Sequence, residues 1–201
     1  LWVRDKLKLK PLLVCCTYPP EQITERGAAN LSNLINLGFD TIVTAPSPKL
    51  WKKVLKQGFY NGNYLVGPEL ALYSSLPQIA IKYKIKLIFW GASPAETSNE
   101  KKTSKTGQEW NGNTIRDSNT LKGCDTSWIK KIAKEEGKTI PYEFPTIKEF
   151  KQNKIQIVYL GWFWKNWSHS YNAKFSALNG LKLRNDDPSN TGDLLGAMAL
   201  D

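Results

Sequence analysis

The order of apolar runs and helical spacings predicts an α/β fold. This is a parallel sheet with helices on both faces, Rossmann-like, followed by a small C-terminal helical and aromatic appendage. Three observations predict it. Four short runs, "LLVCC", "TIVTA", "IKLIFWG" and "IQIVYLG", have strand length and strand composition. Segments with apolar residues at helical spacing stand between them. Up to residue 91 the connections are short, as alternating helix and strand require of a parallel sheet.

The elements follow in order. "LWVRDKLKL" reads as the second half of an amphipathic helix, and "TGDLLGAMALD" stops inside another helical pattern. Both ends therefore suggest a piece of a longer chain. Residues 12–16, closed by "TYPPE", read as a buried strand. "RGAANLSNLINLGFD" places Leu31, Leu34 and Ile35 on one helical face, with Gly38 as the stop. Residues 41–45 form the second strand. A helix then opens with Ser47 as N-cap and Pro48 in the first turn, and turns Leu50, Trp51, Val54 and Leu55 inward. A third helix runs from Pro68 to Tyr83, and Pro77 is expected to kink or split it.

Residues 87–90, "LIFW", are continuously apolar and run straight into Gly91, Ala92, Ser93 and Pro94. Residues 97–125 are almost without apolar side chains, which in a compact domain suits a lid or a disordered segment. An Asp125-capped helix restores order, with Trp128, Ile129 and Ile132 inward. Thr146 and Glu149 form a capping box, and residues 155–161 make a fourth strand. The expected division is an α/β domain over 1–161 and an aromatic, helical segment over 162–201.

Composition bounds the function. The chain has 201 residues and a net charge of +10, with only four arginines (Arg4, Arg26, Arg116, Arg184) among 28 basic residues. Arginine is the usual reader of phosphates and bases, so the lysine excess reads as solvated faces, with a field for anionic partners as the rival reading. No apolar run approaches the roughly 18–20 residues of a membrane span. Three cysteines, two of them adjacent, do not make a disulfide framework and point to a reducing, cytoplasmic setting. With one histidine beside them they do not make a zinc site either.

In an open parallel sheet, ligands bind outside the carboxyl ends of the strands. Three such ends are alike here: "CTYPPE", "TAPSP" and "GASPAE" all carry small, turn-forming or polar residues. They make a candidate site, although strands must end in turns in any case. Trp162, Trp164, Trp167, His169 and Tyr171 crowd the last part of the chain. They make either a sugar- or base-stacking surface or the packing of a helical piece, and His169 is either an acid–base group or structural.

Three stretches, "RGAANLSNLINLGFDTI" after the first strand, "IKLIFWGASPAE" and "YLGWFWKNWSHSYNAKFS", resemble the N-acetyl sugar amidotransferases of the PP-loop ATP-pyrophosphatase superfamily. The resemblance implies an adenine nucleotide alpha-hydrolase-like fold and an ATP- and Mg-dependent ligase of the cytoplasm. Such an enzyme converts the acetamido group of an N-acetyl sugar, free or on a nucleotide, to an acetamidino group during bacterial surface-polysaccharide (lipopolysaccharide O-antigen) biosynthesis. A glutaminase subunit would supply the ammonia; neither a membrane nor a nucleic acid is expected as partner. By the same resemblance Cys16, Thr17 and Tyr18 border the adenine pocket, and Gly91 lines it near the phosphates. Glu96 holds magnesium. Asn30 either bonds near the nucleotide or simply sits on its helix, and Trp162, Trp164 and His169 face the sugar. The superfamily's Ser-Gly-Gly-x-Asp-Ser loop does not occur in these residues, and "FYNGNYLVG" lacks the spacing to replace it. Two other readings stay open: a PP-loop ATPase acting on tRNA or a purine, and a non-catalytic nucleotide- or glycan-binding fragment.

Overall fold

The computed structural model of the chain describes residues 1–17, 19, 23–91, 125–137, 143–163 and 169–183, with the backbone alone at 162, 163, 169 and 170. The chain divides into two compact units, Leu1–Ala45 with Ser168–Asp201, and Pro46–Trp167. The expected lid, but for Asp125, lies outside the described residues.

The first unit holds a short helix α1 (Trp2–Asp5), strand β1 (Leu13–Cys16), helix α2 (Glu25–Asn36) and strand β2 (Thr41–Thr44). β1 and β2 pair in parallel, Leu13 opposite Thr41 and Cys16 opposite Thr44. Main-chain bonds extend the pairing at both ends, from Leu13 N–H to Asp40 O (2.9 Å) and from Thr17 N–H to Thr44 O (2.8 Å). Parallel strands need a crossover, and α2 supplies it. Its start is fixed by the Thr24 hydroxyl, which accepts from Gly27 N–H at 3.1 Å. Its end is the expected glycine, Gly38, at φ +87°. There the Arg4 guanidinium donates to the Leu37 carbonyl (2.5 Å) and covers the Phe39 ring at 4.7 Å. A helix-end carbonyl left over by the 3.6-residue repeat is thus satisfied from outside.

The apolar face of α2 differs from expectation. Its buried positions are Gly27 and Asn30, whereas Leu31 and Leu34 are half-buried and Ile35 is 51% exposed. At about 100° per residue, Ile35 lies roughly a quarter turn or more away from the line through Gly27, Asn30 and Leu34. Asn30, on the buried side, bonds to the main chain of Lys182.

The second unit begins with α3 (Pro48–Tyr60) and α4 (Val66–Lys82). Ser47 caps α3, its hydroxyl accepting from Leu50 N–H at 3.4 Å, and Pro48 occupies the first turn. Leu50, Trp51 and Val54 are buried at 0%, 4% and 1% exposure. α4 meets this face closely, since a Cβ placed on Gly67 would collide with the Val54 side chain. Only a glycine lets the two backbones approach so far.

Of the two outcomes expected at Pro77, a kink or a split, the split does not occur: α4 runs through it unbroken. A proline in a helix interior costs about 3 kcal/mol. Here its ring is fully buried, and Val66, Leu70, Ala71, Tyr73 and Ala80 are buried on the same helix, so packing offsets the lost bond.

Strands β3 (Leu87–Trp90) and β4 (Gln156–Tyr159) pair in parallel, Leu87 opposite Gln156 and Trp90 opposite Tyr159. The run "LIFW" is not buried throughout: Ile88 is inside at 4% exposure, while Leu87 is 39% exposed. β4 stops at Tyr159, two residues before the expected end, and helix α7 (Leu160–Phe163) follows at once. Apolar residues continue across that junction, so composition does not mark it. Between β3 and β4 lie helices α5 (Ser127–Glu135) and α6 (Ile147–Gln152). α5 buries Ile129 and Ala133, with Trp128 and Ile132 half-buried. Its N-cap position is Thr126, one residue later than expected, yet the Asp125 carboxylate still serves the helix start, accepting from Ser127 N–H (2.9 Å) and Oγ (2.8 Å). The capping box of α6 is present in both directions, Thr146 with Glu149.

The described residues thus form a mixed α/β structure with two parallel strand pairs and helices. A further helix, α8 (His169–Leu178), belongs to the first unit. Among the described residues no helix is long and apolar enough to cross a membrane.

Two predictions follow from this packing. Gly67→Ala should cost about 1–3 kcal/mol by overpacking against Val54. In the double variant with Val54→Ala the two changes should couple favourably by about 1 kcal/mol or more, read from urea unfolding. The second concerns acid. Glu136 accepts from Lys53 and pairs with Lys49 (3.1 Å), which hold its carboxyl below its ordinary value of 4.5. Bonds from the Thr146 hydroxyl and N–H do the same for Glu149, and Ser127 N–H and hydroxyl lower Asp125. A carboxylate depressed in the folded state stabilises fully above its unfolded value and loses that contribution as pH falls through the folded one. Urea midpoints should therefore decline as pH drops below about 4.5, and Glu136→Gln should make that decline shallower.

Candidate functional site

The carboxyl end of the β1–β2 pair is where the sequence placed Cys16, Thr17 and Tyr18. Cys16 closes β1 and is half-buried. Thr17 is the next residue, held by its N–H on the Thr44 carbonyl. It is 8% exposed, and its Oγ1 is buried with no hydrogen-bond partner among the described residues. A buried hydroxyl left unsatisfied costs about 1–3 kcal/mol, so it is a feature that a folded chain seldom leaves without use. Across the pair the Thr44 hydroxyl points back, with its Oγ1 3.5 Å from the Cys15 carbonyl. Tyr18 lies outside the described residues.

The Cys15 thiol offers little nucleophilic chemistry. Burial, followed by the neighbouring Cys16, pushes the Cys15 thiol above its ordinary 9.0, so it stays protonated near neutrality. Packing, the plainer reading of the apolar run "LLVCC", accounts for it.

Asn30 stands on α2 in the same unit and is 8% exposed. Its amide is occupied at both ends: Nδ2 donates to the Lys182 carbonyl (3.0 Å) and Oδ1 accepts from Lys182 N–H (2.7 Å). One turn on, Asn33 Nδ2 donates to the Asn179 carbonyl (3.0 Å). Two asparagines on one helical face therefore hold the segment that leaves α8, and Gly180 makes the turn between them at φ +89°. This clamp was missed in the sequence. The only local hint is "LNGLK", a helix stop, because its partners lie 146 and 152 residues away.

Gly91 belongs to the other unit and follows β3. It is exposed, has an ordinary φ, and a Cβ there would meet nothing within 4 Å. Neither backbone nor neighbours require a glycine. Behind it, Trp90 stacks between Tyr73 (5.3 Å between ring centroids, 22°) and Tyr159 (6.4 Å, 28°), so the end of β3 rests on a layer of rings.

Glu96 and Trp164 lie outside the described residues. Trp162 is placed on α7 and His169 at the start of α8 by their backbones. Among the described residues no group of three His, Cys, Asp or Glu side chains could hold a metal ion. No family model matches the chain, and no curated protein matches it.

The Asn30 clamp is directly testable. Asn30→Ala strips a donor and an acceptor from Lys182 and should cost about 1–3 kcal/mol in thermal or urea unfolding. Asn30→Asp keeps the bond from Lys182 N–H, loses the one to its carbonyl, and should fall between.

Proposed function

We propose that the chain is the α/β part of an ATP-dependent amidotransferase acting on the acetamido group of an N-acetyl sugar. In this reading the fold is of the PP-loop type, a parallel sheet with helices on both faces. The observation that carries the proposal is the buried, unsatisfied Thr17 hydroxyl at the carboxyl end of a parallel strand pair, the place where such sheets take their ligands. A hydroxyl both donates and accepts, which suits the mixed edge of an adenine ring.

ATP supplies activation of an amide oxygen, a poor leaving group, so that ammonia can replace it. The residues of this chain would do the rest. Thr17, with the main chain around it, would orient the base. The half-buried Cys16 would provide an apolar wall beside it. Gly91, open above the Trp90 layer, would admit backbone-close approach of phosphate or sugar. Asn30 would act by holding its helix, its amide being already engaged by Lys182. Glu96 remains the proposed magnesium carboxylate, with the aromatic residues from Trp162 to His169 beside the sugar. Ammonia would come from a glutaminase subunit.

Thr17→Val separates function from stability. Removing a buried hydroxyl without a partner should leave the ligand-free melting temperature equal or higher. If Thr17 contacts the nucleotide, ATP affinity by calorimetry should fall roughly tenfold in the same variant. Incubation of the wild type with ATP, magnesium, ammonium and a nucleotide-linked N-acetyl sugar should release AMP and pyrophosphate and exchange the acetamido oxygen for NH in the product's mass spectrum. Absence of any ATP-dependent rise in melting temperature in the wild type would sink the reading.

A further inference from the structure

The outward face of α3 carries a second, independent feature. Lys49, Lys52, Lys53, Lys56, Phe59 and Tyr60 all fall on one side of the helix, opposite the buried Leu50, Trp51 and Val54. α3 contains no acidic residue. Glu136 pairs with Lys49 and Lys53, while Lys52 and Lys56 have no carboxylate partner among the described residues. At the end of this basic stripe, Phe59 is 71% and Tyr60 69% exposed, and Tyr64 just beyond is 38% exposed. Single exposed aromatics are ordinary; two adjacent ones closing a lysine stripe are not.

We propose that this face docks on an anionic bilayer surface. The ammonium groups would lie against lipid phosphates, and Phe59 and Tyr60 would enter the headgroup layer. Aromatic rings settle at that depth, and clustered lysines supply the field that draws the protein there. The charge argues against a second copy of the chain as occupant, since two such faces repel and the whole molecule carries +10.

The ring geometry argues against single-stranded nucleic acid. Stacked bases need an open ring face. Here Phe59 and Tyr60 stand edge to face (6.2 Å, 69°), and the Lys56 ammonium lies over the Tyr60 ring at 6.0 Å from its centroid. Lysine rather than arginine supplies the charge, and lysine acts as a point charge rather than a fork that reads bases. Edge-on insertion into a headgroup layer asks for neither an open face nor a fork. The proposal rests on α3 alone and stands or falls apart from the ligase reading.

The test is co-sedimentation of the protein with vesicles of phosphatidylglycerol and phosphatidylcholine, with pure phosphatidylcholine vesicles, and with poly(U) RNA in solution by fluorescence titration. Partitioning to the anionic vesicles should exceed that to neutral ones at least tenfold at about 0.1 M salt and weaken sharply at about 0.5 M. Lys52→Glu with Lys56→Glu should lower it by roughly thirtyfold. Phe59→Ser with Tyr60→Ser should lower it severalfold while leaving the circular dichroism unchanged, because both rings are already in water. If the charge reversal impairs folding, Lys52→Gln with Lys56→Gln carries the same test with a smaller loss. Equal binding to neutral vesicles, no binding to either, or variants that bind like the wild type would overturn the proposal. Tighter binding to poly(U) than to vesicles, lost with Phe59 and Tyr60, would reassign the face to RNA.

Discussion

Two parallel strands cannot be joined by a tight turn, and each strand pair here is only four residues long. The chain must leave each pair, cover distance, and return in the same direction. A four-residue ladder on its own is marginal, so whatever fills the crossover also has to stabilise it. In the first unit α2 fills the crossover, started by Thr24 and stopped at Gly38. In the second, the crossover from β3 to β4 includes α5 and α6, and α5 buries Ile129 completely. Helices are therefore conditions of the strands rather than decoration on them.

The same constraint shapes the electrostatics. Helices that cover small sheets leave broad faces in water, and this chain covers those faces mostly with lysine. One acid is shared: Glu136 answers both Lys49 and Lys53. Exposed pairs of this kind contribute little each, so they orient side chains more than they hold the fold together. At the far end of α3, Lys52 and Lys56 have no carboxylate partner among the described residues, and charge and aromatic rings coincide.

The candidate site was legible in position but not in character. The rule that ligands gather at carboxyl ends of parallel strands pointed to three strand ends, and the family resemblance narrowed one of them to Cys16, Thr17 and Tyr18. That the Thr17 hydroxyl is buried without a partner among the described residues depends on how neighbouring atoms close over it, which no local pattern records. Asn30 shows the opposite case. By the resemblance it either bonded near the nucleotide or simply sat on its helix. Its two bonds run to Lys182, 152 residues away, and they spend the amide on holding the chain. Gly91 was read as letting a ligand approach the backbone closely, and a Cβ there would meet nothing within 4 Å.

By itself the sequence determined whatever depends on neighbours within about four residues. The caps at Ser47 and Thr146, the left-handed stop at Gly38, the strand cores and the inward faces of α3 and α5 all follow from short-range bonding and from periods of two and 3.6 residues. Tertiary structure alone decided the rest. Ile35 faces water although it lies at helical spacing with Leu31. Pro77 stays inside a continuous helix because burial around it offsets the missing bond. β4 ends at Tyr159 although apolar residues continue, and α3 and α4 touch at Gly67 because Val54 needs the space. Each of these depends on a partner far along the chain, and free energies of burial and close contact are set by which surfaces meet, not by the order in which their residues are written.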